Sequence, residues 1–138
     1  MSNVNIDWSA LGFEYQPIAK RYVANYKDGK WGKGELTDNP NVVLNECAGI
    51  LQYCQQVFEG LKAYKTPSGE VQLFRPDENF KRMNRSNARM CIPQIDEDFL
   101  LEALKALVKM DEAWIPKSPG TSLYIRPFVF ATDPFIGV

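Results

Sequence analysis

Histidine is entirely absent from the 138 residues of this chain. Its absence excludes Ser-His-Asp and Cys-His nucleophile machinery, together with the common zinc sites that contain histidine. Cysteine is also scarce. The chain has only Cys47, Cys54 and Cys91, an odd number without C-x-x-C spacing. This pattern favours reduced thiols packed as small apolar groups over a disulfide framework. We therefore expect neither a disulfide nor a metal centre.

Long apolar runs and an excess of one charge are lacking as well. No run approaches the roughly 20 residues that span a bilayer, and the first residues show no basic leader followed by an apolar core. With 16 basic and 17 acidic residues the net charge is −1, which argues against nucleic acid as the main partner. The hydrophobic share of 45% is enough for one domain to bury a core. We expect a cytoplasmic protein with no membrane or nucleic-acid partner.

Strand signals come in two hairpins and one further run. Residues 22–36 flank an Asp-Gly turn, with a register that two glycines leave open, and residues 61–74 alternate around a second turn. Residues 53–57 indicate one or two helical turns. Residues 121–131 have the β-branched and aromatic content of a strand, in which Pro127 implies a sheet edge or a bulge.

Two helices are predicted between these strands. Pro76, followed by two acids, begins a helix that should run to about residue 90. Asp96 is an N-cap candidate for the second helix, whose apolar residues recur at the spacing of a buried face. Hairpins grouped with helices predict an α+β fold, in which two main helices pack on an antiparallel sheet built from hairpins.

The first helix carries a local excess of positive charge in a chain with no general basic background. Arg82 is the leading candidate for an anion ligand, because a guanidinium presents several donors in a fixed fork and stays charged. The competing interpretation is a solvated basic face in which Arg82 pairs with Glu78.

A second candidate pair lies on the last strand. Tyr124 and Arg126 are two residues apart, so both side chains project to one face and can grip a carboxylate. An exposed polar face on an edge strand explains the same spacing. The aromatic residues Phe13, Tyr53 and Phe58 either wall a pocket or belong to the core.

Four segments of the chain resemble the branched-chain amino acid aminotransferases, which are pyridoxal-phosphate enzymes of fold type IV. The segments are LQYCQQVFEG, LFRPDENFKRMNRS, SLYIRP and DPFIGV. The resemblance covers nearly the whole chain but only the first part of a family member. It implies a small α+β domain over residues 1–132 and the start of an interdomain linker over 133–138. None of the ten lysines has the context of the lysine that forms a Schiff base with the cofactor, so we expect that lysine in an absent C-terminal domain.

The resemblance also implies roles for single residues. Arg82 would hold the phosphate of pyridoxal 5′-phosphate. Arg85 and Arg89 gain no such support and are interpreted as surface or salt-bridge residues. Tyr124 would help bind the substrate α-carboxylate, and Arg126 would meet the side-chain carboxylate of glutamate. The remaining implied substrate residues are Phe13 and Phe58 in their own subunit, and Tyr53, Ile136 and Val138 reaching the partner subunit of a homodimer. Glu59 and Gly60 receive only structural roles, Gly60 as the site of a bend.

The function implied is transfer of the amino group of leucine, isoleucine or valine to 2-oxoglutarate, giving glutamate, by the longer protein. The 138 residues alone are expected to be inactive. One alternative is a non-catalytic module that binds a small anion or a protein partner. Another is a different fold type IV enzyme, either D-amino acid aminotransferase or aminodeoxychorismate lyase.

Overall fold

The computed structural model describes residues 7, 8, 10, 12 and 20–136. The first described strands form a hairpin in two steps. They are β1 Arg21–Val23 paired with β4 Glu35–Thr37, and β2 Tyr26–Lys27 paired with β3 Lys30–Trp31. Asp28 and Gly29 both have positive φ, as a two-residue hairpin turn requires. The predicted hairpin is confirmed. Gly32 and Gly34, the two glycines that left its register open, lie between β3 and β4, where the strand pairing is interrupted.

A short helix and a strand follow where a single helical segment was predicted. Helix α1 covers Gly49–Tyr53, Cys54 adopts a left-handed conformation with φ 53°, and strand β5 covers Gln56–Phe58. The prediction of helical turns over 53–57 was therefore wrong for most of that segment. Residues 56–58 become a strand because they pair with β9, Phe128–Phe130, which lies far away in sequence.

The second hairpin is confirmed and forms the centre of a three-stranded antiparallel sheet. Strand β6, Leu61–Lys65, pairs on one side with β7, Val71–Leu73, and on the other with β8, Leu123–Ile125. The predicted strand over 121–131 is thus two strands, β8 and β9, that belong to different sheets. The division falls next to Pro127, which has no N–H with which to continue a ladder.

Both predicted main helices are confirmed. Helix α2 covers Pro76–Arg89 and helix α3 covers Glu97–Met110, followed by a 3₁₀ turn over Glu112–Trp114. Asp96 caps α3 as predicted, because its Oδ1 accepts the N–H of Phe99 at 2.8 Å.

Helix α2 contributes to two buried clusters. One lies between the helices and the three-stranded sheet and contains Leu61, Ala63, Phe80, Leu104, Val108, Ile115 and Ile125. The other lies under β5 and β9 and contains Val57, Met83, Ile92, Ile95 and Val129. The α+β class, with helices packed on antiparallel strands, is confirmed. Because α2 packs on both clusters, its exposed face is held at a fixed distance from β5.

The three thiols are free, as predicted, but their predicted packing was wrong. Cys47 is half-buried, whereas Cys54 and Cys91 are exposed. Both exposed cysteines have a φ of 53° and lie where helices end, outside the two buried clusters. Within the described part of the chain, no helix is long and apolar enough to cross a membrane.

Candidate functional site

The junction Phe58-Glu59-Gly60 joins β5 to β6, and hydrogen bonds to its own backbone hold it on two sides. The Glu59 N–H donates to the carbonyl of Pro127 at 2.8 Å, next to β9. The amide of Asn79, on α2, donates to the carbonyl of Gly60 at 3.2 Å. This junction therefore has a defined position relative to both the strand pair and the helix.

Glu59 and Arg82 form a two-pronged ion pair across this junction. Arg82 Nε donates to Glu59 Oε2 at 2.7 Å, and Arg82 Nη2 donates to Oε1 at 2.5 Å. The Glu59 side chain is 7% exposed, whereas that of Arg82 is 60% exposed. The interpretation that Arg82 pairs with Glu78 was wrong, because Glu78 instead contacts Lys81 and Arg75.

The ion pair keeps both partners charged. Burial acts to raise the pKa of Glu59, but hydrogen bonds from Arg82 and from the Gly60 N–H outweigh it, so the net pKa is lowered. The hydrogen bond to Glu59 raises the pKa of the Arg82 guanidinium. A charged guanidinium with one edge anchored and the rest exposed is suited to bind a second anion.

An open cleft of about 500 Å³ lies beside Arg82. Its lining residues are Gln56, Val57 and Phe58 from β5 and Arg82, Arg85, Ser86, Arg89 and Met90 from the end of α2. Arg85 and Arg89 are exposed, as expected, but within the described residues they have no ion pair. Three guanidiniums on one wall make the cleft a candidate site for a phosphate or another anion.

Tyr124 and Arg126 lie on one face, as their spacing predicts. Arg126 Nε and Nη2 donate to the Tyr124 hydroxyl oxygen at 3.0 and 2.7 Å. The guanidinium carbon of Arg126 also lies 4.4 Å from the ring centroid of Phe58, which places the cation over an aromatic face. The tyrosine oxygen accepts both bonds and no described residue accepts its O–H, so that O–H can donate to a ligand.

Gly60 leaves room for the close approach of the Tyr124 side chain. A Cβ at Gly60 would lie 2.5 Å from the Tyr124 hydroxyl oxygen and 3.1 Å from the ring carbon that carries it. Gly60 is not among the glycines with positive φ, so the backbone itself does not need glycine there. The predicted bend from a short helix into a strand was wrong, because Gly60 follows strand β5 and not a helix.

The other predicted site residues lie elsewhere. Tyr53 is half-exposed beside a second hollow of about 200 Å³, which Phe135 also lines. Ile136 is exposed and lines neither hollow. Phe13 and Val138 lie outside the described residues. The structure thus brings Phe58, Arg82, Tyr124 and Arg126 around one junction and leaves Tyr53 and Ile136 apart from it.

The ion pair between Glu59 and Arg82 was not predicted from the sequence, which assigned Glu59 only a structural role. The available signal was an acid flanked by apolar residues, in the sequence Val57-Phe58-Glu59-Gly60-Leu61. An acid in such a context is rarely buried unless it is paired, so a cationic partner was to be expected.

Comparison with curated proteins shows close relatives over nearly the full chain, although no family model matches it. It is 47% identical over 133 residues to "Branched-chain-amino-acid transaminase 1" of Bacillus subtilis, covering 96% of this chain and 37% of the relative. It is 42% identical over 135 residues to "Branched-chain-amino-acid aminotransferase" of Helicobacter pylori, covering 97% of this chain and 40% of the relative. The chain therefore spans less than half the length of these relatives.

Solved structures give the same result for the fold. A branched-chain aminotransferase of Thermoproteus uzoniensis, solved with norvaline, matches 86% of this chain and 36% of its own with a TM-score of 0.60 at 23% identity. The T.th. branched-chain amino acid aminotransferase, complexed with N-(5′-phosphopyridoxyl)-L-glutamate, matches 71% of this chain and 30% of its own with a TM-score of 0.56 at 29% identity. The resemblance inferred from the four sequence segments is confirmed.

Proposed function

We propose that this chain, which is homologous to the branched-chain-amino-acid aminotransferases over nearly its whole length, forms part of an enzyme that transfers the amino group of leucine, isoleucine or valine to 2-oxoglutarate. The observation that carries the proposal is the junction Phe58-Glu59-Gly60. It brings a candidate phosphate ligand, Arg82, close to a candidate carboxylate site, Tyr124 and Arg126. Phosphate and carboxylate are the two anionic groups that such a reaction must hold.

The cleft beside Arg82 fits the phosphate of pyridoxal 5′-phosphate. When bound, that cofactor supplies the electron sink that transamination needs. Arg82 would bind the phosphate through the edge of its guanidinium that Glu59 leaves free. The homologue complexed with N-(5′-phosphopyridoxyl)-L-glutamate supports this choice of ligand, since that compound carries the same phosphate and an amino acid.

The Tyr124 and Arg126 pair would recognise both substrates. The free O–H of Tyr124 would donate to the α-carboxylate that all the substrates share. Arg126 would pair with the second carboxylate of glutamate or 2-oxoglutarate, and the exposed ring of Phe58 would contact an apolar branched side chain. One pocket would thus accept an acidic and an apolar side chain in turn.

The remaining parts of the site are proposed to come from outside these residues. All ten lysines lie within the described range, and none of them lines the cleft. We therefore assign the lysine that binds the cofactor to a downstream domain, with residues 1–132 as the small domain and 133–138 as the start of the linker. In a homodimer, Tyr53, Ile136 and Val138 would reach the pocket of the partner subunit. Phe13 would line the pocket of its own subunit.

The test is an amino-transfer assay on the full-length protein loaded with pyridoxal 5′-phosphate. We expect glutamate to form from 2-oxoglutarate with L-leucine, L-isoleucine or L-valine, and little or no transfer from D-alanine. Preferred use of D-alanine would instead favour the D-amino acid enzymes of the same fold. Transfer from none of these amino acids would refute the proposal and leave a non-catalytic anion-binding module as the better interpretation.

A further inference from the structure

We infer that Glu59 is a positioning residue, whose carboxylate fixes the Arg82 guanidinium so that its free edge is ready to bind a phosphate. This inference rests on the proposed function. It assigns to Glu59 a role in ligand affinity beyond that of an ion pair that stabilises the fold.

The first step of the argument is that the Glu59 carboxylate is itself fixed. The side chain is buried, and its Oε1 accepts the N–H of Gly60 at 2.9 Å. The main chain on either side is bonded to Pro127 and to Asn79. A carboxylate held in this way is a rigid anchor for a long and otherwise mobile arginine side chain.

The second step concerns the donors that remain. A guanidinium has five N–H groups, and Glu59 takes one from Nε and one from Nη2. No described residue accepts a hydrogen bond from the two N–H groups of Nη1 or from the second one of Nη2. One N–H from each nitrogen lies along a shared edge, which matches two oxygens of a phosphate. Glu59 therefore determines which edge of the Arg82 guanidinium remains available to a ligand.

The third step gives the sign of the effect. Arg85 and Arg89 line the same cleft but have no ion pair within the described residues, so each must be ordered when a ligand binds. Arg82 is ordered in advance. Ordering one such side chain reduces affinity by a factor of about two to ten, which is the advantage that Glu59 gives. The negative charge of Glu59 should repel a bound phosphate only weakly. That charge is compensated by Arg82 and lies on the side of the guanidinium away from its free edge.

The experiment compares two probes that differ only in a phosphate. Dissociation constants of pyridoxamine 5′-phosphate and of pyridoxamine are measured for the cofactor-free full-length protein, because neither probe has an aldehyde that reacts with lysine. The variants are Glu59→Gln, Arg82→Ala and, as a matched control, Glu78→Gln. Glu78 is an acid of the same region that contacts Lys81 and Arg75 but not Arg82.

We expect Glu59→Gln to weaken binding of the phosphorylated probe about two- to tenfold and to leave binding of pyridoxamine unchanged. Glu78→Gln should change neither. Equal weakening of both probes, or unchanged or tighter binding of the phosphorylated one, would overturn the inference. If Glu59→Gln does not fold, Glu59→Asp replaces it, since aspartate keeps the charge but is too short to reach Arg82 in the same way. The same ratio of dissociation constants, pyridoxamine 5′-phosphate to pyridoxamine, is then compared.

Arg82→Ala separates this inference from the function on which it rests. In one outcome, Arg82→Ala reduces the preference for the phosphorylated probe while Glu59→Gln leaves it unchanged. That result would refute the role of Glu59 but not that of Arg82. An unchanged preference in Arg82→Ala would refute Arg82 as the phosphate ligand, and the inference would fail with it.

Discussion

Glu59 and Arg82 are 23 positions apart in the sequence, yet two hydrogen bonds of 2.7 and 2.5 Å join their side chains. This pair ties the exposed face of helix α2 to the junction between β5 and β6. On one side of Glu59 the ring of Phe58 contacts Arg126, and on the other side Gly60 leaves room for Tyr124. Three consecutive residues thus position the three polar groups of the candidate site.

Replacing Arg82 with alanine should weaken retention of pyridoxal 5′-phosphate by the full-length protein roughly 10- to 100-fold, because hydrogen bonds to charged groups contribute about 1.5–3 kcal/mol. The cofactor that remains after dialysis can be measured by its absorbance. Lys105→Ala is the control, since Lys105 forms a surface ion pair with Glu102 outside the cleft. Equal retention in both variants would argue against a phosphate role for Arg82.

Replacing Arg126 with alanine should lower kcat/KM for glutamate roughly tenfold more than for leucine. The reason is that only glutamate offers a second carboxylate to the guanidinium. Steady-state kinetics with both amino acids would measure the difference. Tyr124→Phe is the comparison, because loss of the hydroxyl should affect both substrates through their shared α-carboxylate. If Arg126→Ala harmed the two substrates equally, dual recognition by Arg126 would be wrong.

Replacing Gly60 with alanine should displace the Tyr124 ring and break its hydrogen bonds with Arg126, because the new Cβ would overlap the hydroxyl oxygen. Since the ring end can move, we expect reduced kcat/KM for both substrates with little change in Tm. A double-mutant cycle provides the control. In a Tyr124→Phe background the same alanine should cost less, and fully additive effects would contradict the steric explanation.

Replacing Asp111 with asparagine should stabilise the protein near neutral pH. Asp111 is 3% exposed, and this burial raises the pKa of its carboxyl. A raised pKa means that the folded state holds the proton more tightly than the unfolded state, so stability is lost as pH rises past the ordinary range of aspartate. Urea unfolding at pH 7 should favour Asp111→Asn over the unmodified protein, and the advantage should shrink in acid. Asp133→Asn, at an exposed position, should show no such trend.

The sequence was sufficient for features that depend on near neighbours. The pairing of Tyr124 with Arg126 follows from the two-residue repeat of a strand, and the start of α3 follows from Asp96 as its N-cap. Charge alone did not separate Arg82 from Arg85 and Arg89, and only the family resemblance singled it out, as a prediction that the described structure does not test.

Features that depend on distant partners could not be predicted. Residues 56–58 are a strand because β9 pairs with them, and the run 121–131 divides because its two halves pair with different strands. The burial of Glu59 and the space at Gly60 depend on α2 and β8, which lie 23 and 64 positions further along the chain at Arg82 and Tyr124.

The most direct test of the central claim, that Arg82 binds the cofactor phosphate while Glu59 holds it, is a crystal structure of the full-length protein with pyridoxal 5′-phosphate. We predict phosphate oxygens about 2.7–3.2 Å from the Nη1 and Nη2 atoms of Arg82, with both hydrogen bonds to Glu59 retained. A phosphate bound elsewhere, or an Arg82 that leaves Glu59 to reach the phosphate, would contradict the claim.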